Sequence, residues 1–366
     1  MKMNYKKYNY LIIKTLLIIF TAIITINYVI NPFGVFNLPD LKINRHKSEL
    51  KRQERLTKIM QLKSAKHIDA IVLGSSREDF SINENYFNQL TSKKMLNLAM
   101  QGAKFNEQKY IIEKALNLHP EIKTIVLGID FDFYYLQDNS SKELLKNYEN
   151  STFQNYITIL LSFDAIESSI TTIAKSLNPN YTRGFSSYGM KNIFINDEIE
   201  TTFEKTIHQY KTTGQDFVNN KPNLEELKNL IKELHNKDVN VILYMHPVHC
   251  VMLEIIKQNG AENCIFEFKK ELAKIQPFYD FYYPSEYTEE MINPNMHYFF
   301  ESSHCTYLVG NKILERIFTA NNNDFGYLIT ENNVYQYHKS FKKDLLKWEK
   351  KNPIWVKKIK NIRKES

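Results

Sequence analysis

Three kinds of hydrophobic pattern follow one another along the chain. The first is an almost unbroken apolar run, "YLIIKTLLIIFTAIITINYVI", Tyr10 to Ile30, interrupted only by Lys14, Asn27 and a few threonines. At about 1.5 Å per residue it is long enough to cross a hydrocarbon core of about 30 Å, with Lys14 reaching toward the near side. In the second, Asn44 to Lys66, Leu50, Leu56, Ile59, Met60 and Leu62 recur among many charges, as on an amphipathic, mostly solvated helix. The third is an alternation of short, continuous apolar runs with stretches of helical periodicity.

Strands are predicted at Ala70 to Leu73, Met95 to Ala99, "KTIVLGIDF" from Lys123, "DVNVILYMHPVH" from Asp238, and Phe278 to Tyr283. Helices are predicted at Glu84 to Leu90, Phe105 to Leu116, Leu224 to Asn236, Glu262 to Ile275 and Tyr307 to Phe318. Apolar strands of this kind, each followed by a helix, are buried on both faces, which is the pattern of a parallel sheet covered by helices. The predicted fold is α/β: a doubly wound, mostly parallel, three-layer sheet of the flavodoxin-like type, preceded by one N-terminal transmembrane helix. Between Tyr135 and Asn220 the alternation weakens, which suggests an insertion or cap. The expected plan is a basic segment at 1–9, an anchor at 10–30, a membrane-proximal linker and helix at 31–66, the α/β domain at 67–320 with its insertion at about 135–220, and a basic tail at 321–366.

Charge sharpens this plan. The 366 residues carry a formal +7, yet from Asn333 to the end there are 11 Lys and Arg against 3 Asp and Glu, a net +8, which leaves −1 for everything before it. The basicity belongs to the tail, so a basic nucleic-acid-binding face is not indicated. The tail reads either as a solvated basic helix or, with Trp348, Ile354 and Trp355 interleaved, as a contact with an anionic membrane surface. Lys2, Lys6 and Lys7 precede the apolar run, which ends in Asn27-Tyr28-Val29-Ile30 rather than the small residues of a cleavage site. An uncleaved single-pass anchor is expected, with a cytoplasmic N-terminus and the main domain outside the cytoplasmic membrane. Cys250, Cys264 and Cys305 allow at most one disulfide within the chain and have no C-x-x-C spacing.

In open α/β sheets, ligands bind beyond the carboxyl ends of the strands, so the residues just after each strand carry the chemistry. Here they are Gly74-Ser75-Ser76-Arg77, Gly102, Gly128-Ile129-Asp130, His246-Pro247-Val248-His249 and Glu301-Ser302-Ser303-His304. A serine in such a place becomes a nucleophile when a histidine takes its proton, a carboxylate orients that histidine, and backbone N–H groups receive the oxyanion. Glu301 lies three residues before His304, so one loop presents both groups. Gly-Ser-Ser after a strand is equally the sequence of a phosphate nest or a plain turn. Arg77 suits either an anionic group or a salt bridge, and His246 and His249 either a substrate crevice or packing against Tyr244 and Pro247. With Cys250, His304 and Cys305 these histidines are also metal-ligand types, but the spacing matches no zinc signature. No metal or cofactor is expected.

The order Ser76, Gly102, Asp130, Glu301, His304 resembles the SGNH (GDSL-like) hydrolase superfamily. Carried over residue by residue, Ser76 stands at the nucleophile, Ser75 at the Asp before it, Gly102 at the second-block glycine of the oxyanion hole, Asp130 at the Asn of the third block, and Glu301 and His304 at the final Asp-x-x-His. Three residues depart from the pattern. Asp130 replaces an amide donor with an acceptor, Glu301 adds a methylene, and Ser75 stands for Asp. The anchor, "YVINPFGVF", Gly-Ser-Ser-Arg, "GIDFDFY", "HPVH" and "ESSHCTYLVGNKILERIF" together resemble the anchored SGNH-like proteins of bacterial surface-polysaccharide and cell-wall acylation, including alginate O-acetylation proteins and the D-alanine-transfer protein of teichoic-acid loading. That resemblance implies an acyltransferase or esterase acting on a cell-surface glycan through an acyl-serine. It also implies a multi-spanning membrane partner that delivers the acyl group. The alternative is a non-catalytic glycan-binding or assembly subunit of a polysaccharide-modification complex, suggested by the departures at Asp130 and Glu301.

Overall fold

The computed structural model describes residues 5–36, 38–47, 54–134, 152–179, 184–185, 191–192, 198–213, 223–319 and 324–362. Lys2, much of the expected insertion at about 135–220 and parts of the basic tail lie outside them. In chain order the helices are α1 (Tyr5–Ile30), α2 (Glu54–Ser64), α3 (Ser76–Ser81), α4 (Glu84–Thr91), α5 (Phe105–Leu118), α6 (Thr152–Leu161) and α7 (Phe163–Leu177). They continue with α8 (Ile199–Thr213), α9 (Glu225–His235), α10 (Cys250–Gln258), α11 (Glu262–Ile275), α12 (Tyr307–Phe318), α13 (Val334–Lys351) and α14 (Pro353–Asn361). The strands are β1 (Ala70–Leu73), β2 (Met95–Asn97), β3 (Thr124–Gly128), β4 (Gly184–Phe185), β5 (Lys191–Asn192), β6 (Asn240–Met245), β7 (Phe278–Asp280) and β8 (Tyr327–Ile329).

The chain forms two compact units, Met1–Ala65 with Glu143–Asn192, and Lys66–Lys142 with Ile193–Ser366. In the first, α1 is long and apolar enough to span a membrane. It begins five residues before the apolar run, because Tyr5 to Asn9 are compatible with helix and nothing there breaks it. Its C-terminal end is finished by polar contacts. Asn31 takes a left-handed conformation (φ 48°), and its N–H bonds the Asn27 carbonyl at 2.9 Å, while Lys47 Nζ donates to the Ile30 carbonyl at 3.1 Å. Beyond that end, Phe33, Val35, Met60, Ile159 and Ala165 make a small buried core.

The second unit holds a six-stranded sheet in the order β2-β1-β3-β6-β7-β8, parallel throughout except for β8, which runs antiparallel to β7. β1 is buried throughout and β3 from Ile125 onward, as expected for strands covered on both faces. The chain passes from β1 outward to β2 and then returns to the other side of β1 for β3. This reversal opens a crevice beyond the carboxyl ends of β1 and β3, where an open α/β sheet binds its ligands.

The mostly parallel α/β sheet agrees with the sequence reading, as does the single N-terminal helix. The edge strand β8 was not anticipated, and within the basic tail α13 packs one face into the fold where a solvated helix or a membrane contact was expected. Val334, Tyr337, Phe341, Leu345 and Trp348 recur every three or four residues along α13, and all five are buried. Lys269 Nζ, paired with Asp280 at 2.5 Å, lies 5.1 Å from the centroids of both the Tyr337 and the Phe341 rings. The lysines of α13 cover this stripe on the solvent side.

Candidate active site

β1 runs into Gly74 and then into a turn that starts α3. Ser75 caps that helix, its Oγ accepting the Arg77 N–H at 3.3 Å, while the Glu78 carboxyl reaches back to accept the Ser75 N–H at 2.7 Å. This is a capping box, and it consumes Ser75 in holding the helix. From Ala70 to Ile82 every residue is buried except Ser76. The turn therefore offers one hydroxyl to the crevice, at the first position of a helix where backbone N–H groups have no intrahelical acceptor.

Ser76 Oγ is 2.6 Å from His304 Nε2, and His304 Nδ1 is hydrogen-bonded to Glu301 Oε1. Glu301 is buried, whereas Ser76 and His304 are half-buried. The imidazole lies near Phe80 and Phe300, with ring centroids 5.1 and 5.6 Å away. With Nδ1–H donating to the carboxylate, Nε2 is left as the acceptor for the serine proton, the tautomer that base catalysis requires.

Ser76 and His304 are 228 positions apart, and two packing features bring them together. The loop around Glu301 is narrow: Phe299 bridges Cys305, the Thr306 N–H donates to the Tyr298 carbonyl at 2.7 Å, and the His249 N–H donates to the Ser302 carbonyl at 3.0 Å. The helices that begin at or just after these two segments, α3 and α12, then cross closely at Gly310. A Cβ at Gly310 would stand 1.9 Å from the Ser81 carbonyl oxygen, a backbone atom that cannot move without moving α3. Gly310→Ala is therefore expected to cost about 1–3 kcal/mol of stability and to push Ser76 away from His304. Urea unfolding, together with the rate of Ser76 acylation, checks both effects.

Arg77 and Asp130, expected near the substrate, are joined to each other in a buried ion pair. The same guanidinium donates from both Nε and Nη2 to Ser303 Oγ at 3.2 Å each, so it ties the ends of β1 and β3 to the residue beside His304. Asp130 thus stands where the third-block Asn was expected but supplies no amide donor. Gly102 has φ +64° and open space where a Cβ would project, so the glycine is explained by its backbone conformation rather than by a neighbour.

Beneath the serine turn lies Glu78, fully buried. A Cβ on either Gly74 or Gly128 would meet its carboxyl oxygens at 2.1 Å. Burial, reinforced by the charge of Asp130, pushes the Glu78 carboxyl up to about 8. Between the ordinary carboxylate range and about pH 8, the folded chain keeps a proton that the unfolded chain has lost. Stability therefore falls as pH rises through that window. The melting temperature of Glu78→Gln is expected to fall less over this range than that of the native chain, as measured by thermal melts at a series of pH values.

His246 and His249 both turn inward. Each is about 1% exposed. His246 donates from Nδ1 to the Pro247 carbonyl at 2.9 Å and meets Ser81 Oγ through Nε2 at 2.8 Å. His249 accepts the Val251 N–H through Nδ1 at 3.2 Å, capping α10, and donates from Nε2 to the Glu290 carbonyl at 2.8 Å. Burial lowers His246 to about 3 and His249 to about 4, so both are neutral near pH 7. Cys250, Cys264 and Cys305 form no disulfide. Sequence reading gave no role to Ser303, Phe80, Phe300 or Gly310. Only Ser303 carried a signal, since it stands between Glu301 and His304.

No family model matches the chain, and no curated protein matches it. Among solved structures, a Streptococcus pneumonia protein provisionally named a platelet activating factor is similar, at 13% identity over 73% of this chain and 91% of that one, with a TM-score of 0.33. A likeness that slight carries no argument about fold or activity.

Proposed function

We propose that this chain is a membrane-anchored, SGNH-like serine acyltransferase or esterase that acts outside the cytoplasmic membrane on a cell-surface polysaccharide. The observation that carries the reading is the hydrogen-bonded series Ser76, His304, Glu301, with its nucleophile at the one accessible position of an otherwise buried turn. His304 Nε2 takes the Ser76 proton as Oγ attacks the acyl carbonyl carbon, and the negative charge moves to the carbonyl oxygen. The Ser76 N–H at the start of α3 and the N–H of Gly102 are the proposed donors to that oxygen. As the tetrahedral intermediate collapses, the leaving oxygen departs with the proton held by His304, and an acyl-serine remains. A sugar hydroxyl or water then gives its proton to His304 and attacks the ester carbonyl, and Ser76 Oγ leaves and recovers the proton. Glu301 holds the tautomer throughout. The acyl donor would reach the site through a multi-spanning membrane partner.

A specific observation favours a second reading, a non-catalytic glycan-binding or assembly subunit on the same fold: Asp130 is held by Arg77 and supplies no oxyanion donor. The two readings separate on incubation of the full chain in detergent with p-nitrophenyl acetate, followed by mass spectrometry. Catalysis predicts an acetyl adduct on Ser76 that Ser76→Ala and His304→Ala both abolish. A folded native chain that gains no adduct would favour the binding subunit.

A further inference from the structure

The bent helix pair α6 and α7 belongs to the same compact unit as α1 and packs against it. The two helices meet at 50° around Ser162, and together they are long and apolar enough to resemble a broken span. The bend is joined to the C-terminal end of α1 by one polar side chain. Asn27 Nδ2 donates to the Leu160 carbonyl at 2.8 Å, and Asn27 Oδ1 accepts from Ser169 Oγ at 2.7 Å. Asn27, a polar interruption of the apolar run, is thereby buried and satisfied, and its position fixes the bend beside the end of the span.

What α6 and α7 expose is apolar. Phe153 is 73% exposed and Phe163, at the bend, 90% exposed, with Tyr156, Ile157, Ile170 and Leu177 also at the surface. The patch continues from α1 through an aromatic group: the Tyr28 ring lies 4.8 Å from Phe36, and Phe36 stacks on Tyr156 at 6.1 Å. Aromatic rings concentrate at the membrane interface, where their apolar bodies meet lipid and their polar edges meet water. Asp164, Glu167 and Lys175 lie on α7, and Glu167 is exposed between Phe163 and Ile170. A second full crossing would place that carboxylate in hydrocarbon, which is costly. A helix pair lying in the boundary between headgroups and acyl chains buries the phenylalanines and leaves Glu167 within reach of water.

We propose that α6 and α7 form a second membrane contact, a bent interfacial element seated in the leaflet at the C-terminal end of α1. The occupant of the apolar face is lipid, because the face is continuous with the surface of a helix suited to lipid. The inference rests on α1 crossing the membrane and is independent of the acyl chemistry.

The test uses the full chain with Cys264→Ser, reconstituted in vesicles of phosphatidylcholine and phosphatidylglycerol. An environment-sensitive NBD fluorophore is attached at Phe163→Cys or at Leu17→Cys within α1. Lipids carrying a nitroxide at the headgroup or deep in the acyl chain act as quenchers. The expected result is that headgroup-level nitroxide quenches the Phe163 site several-fold relative to vesicles without nitroxide, and more than deep nitroxide does, while Leu17 is quenched best by deep nitroxide. A Phe163 site quenched only by aqueous iodide would overturn the proposal. So would one shielded from both iodide and lipid, which would mean that a protein covers the face. Absence of quenching at Leu17 would show instead that the premise of a spanning α1 fails.

Discussion

Glu301→Gln is expected to slow acylation of Ser76 by roughly 10³- to 10⁴-fold while the chain stays folded. The carboxylate accepts the His304 Nδ1 proton, which leaves Nε2 free to receive the proton of Ser76 Oγ 2.6 Å away. An amide of the same length can turn its NH2 toward Nδ1, and that stabilises the tautomer whose Nε2 carries hydrogen. The serine then faces a donor instead of a base. The measurement is the rate of p-nitrophenol release together with the mass of the acetylated chain, with circular dichroism as the check on folding. An unchanged rate would sink the proposed role of Glu301. If the rate collapsed for Glu301→Gln but not for Ser76→Ala, the nucleophile would lie elsewhere.

Arg77→Ala carries the largest expected effect on stability, about 3–5 kcal/mol, because it leaves the Asp130 carboxylate buried without its cation. Arg77 and Asp130 are 8% and 4% exposed, so solvent offers little relief. The loss extends to the site, since Arg77 also holds Ser303 beside His304. Removing both charges with Arg77→Met and Asp130→Leu is expected to restore most of the stability and little of the acylation, because the tie to Ser303 stays broken. Urea unfolding of the two variants, read beside their acylation rates, separates the two roles. A single-variant loss under about 1 kcal/mol would show that the pair is weakly coupled to the fold.

Much of the frame was legible in local patterns. Ala70–Leu73, Glu262–Ile275 and Tyr307–Phe318 form with the bounds their apolar periodicity indicates, because a short element's burial is written in its own residues. Other elements were hidden by composition. The stripe of Tyr337, Phe341, Leu345 and Trp348 has helical spacing, but it is embedded among lysines, and net charge drew attention to the wrong face. α6 and α7 were obscured for a related reason: their serines, threonines and scattered charges dilute an apolar face that is evident only beside Asn27.

At the candidate site the division is sharper. The rule that ligands gather beyond strand ends, applied to a serine, a histidine and a carboxylate in chain order, pointed to the Ser75-Ser76 turn, Glu301 and His304, and only the family resemblance preferred Ser76. Local pattern did not separate Ser75 from Ser76. The capping box does, since it turns Ser75 toward the α3 backbone and leaves Ser76 facing His304. Nor did pattern say that Arg77 would spend its charge on Asp130, or that His246 and His249 would face inward. By itself the sequence determined which segments become strands and helices and which residue types stand at their ends, because those depend on neighbours a few positions away. Only the tertiary structure decided which of those end groups meet, because each meeting joins segments distant in the chain, and a side chain's charge, tautomer and exposure follow from the partner it finds there.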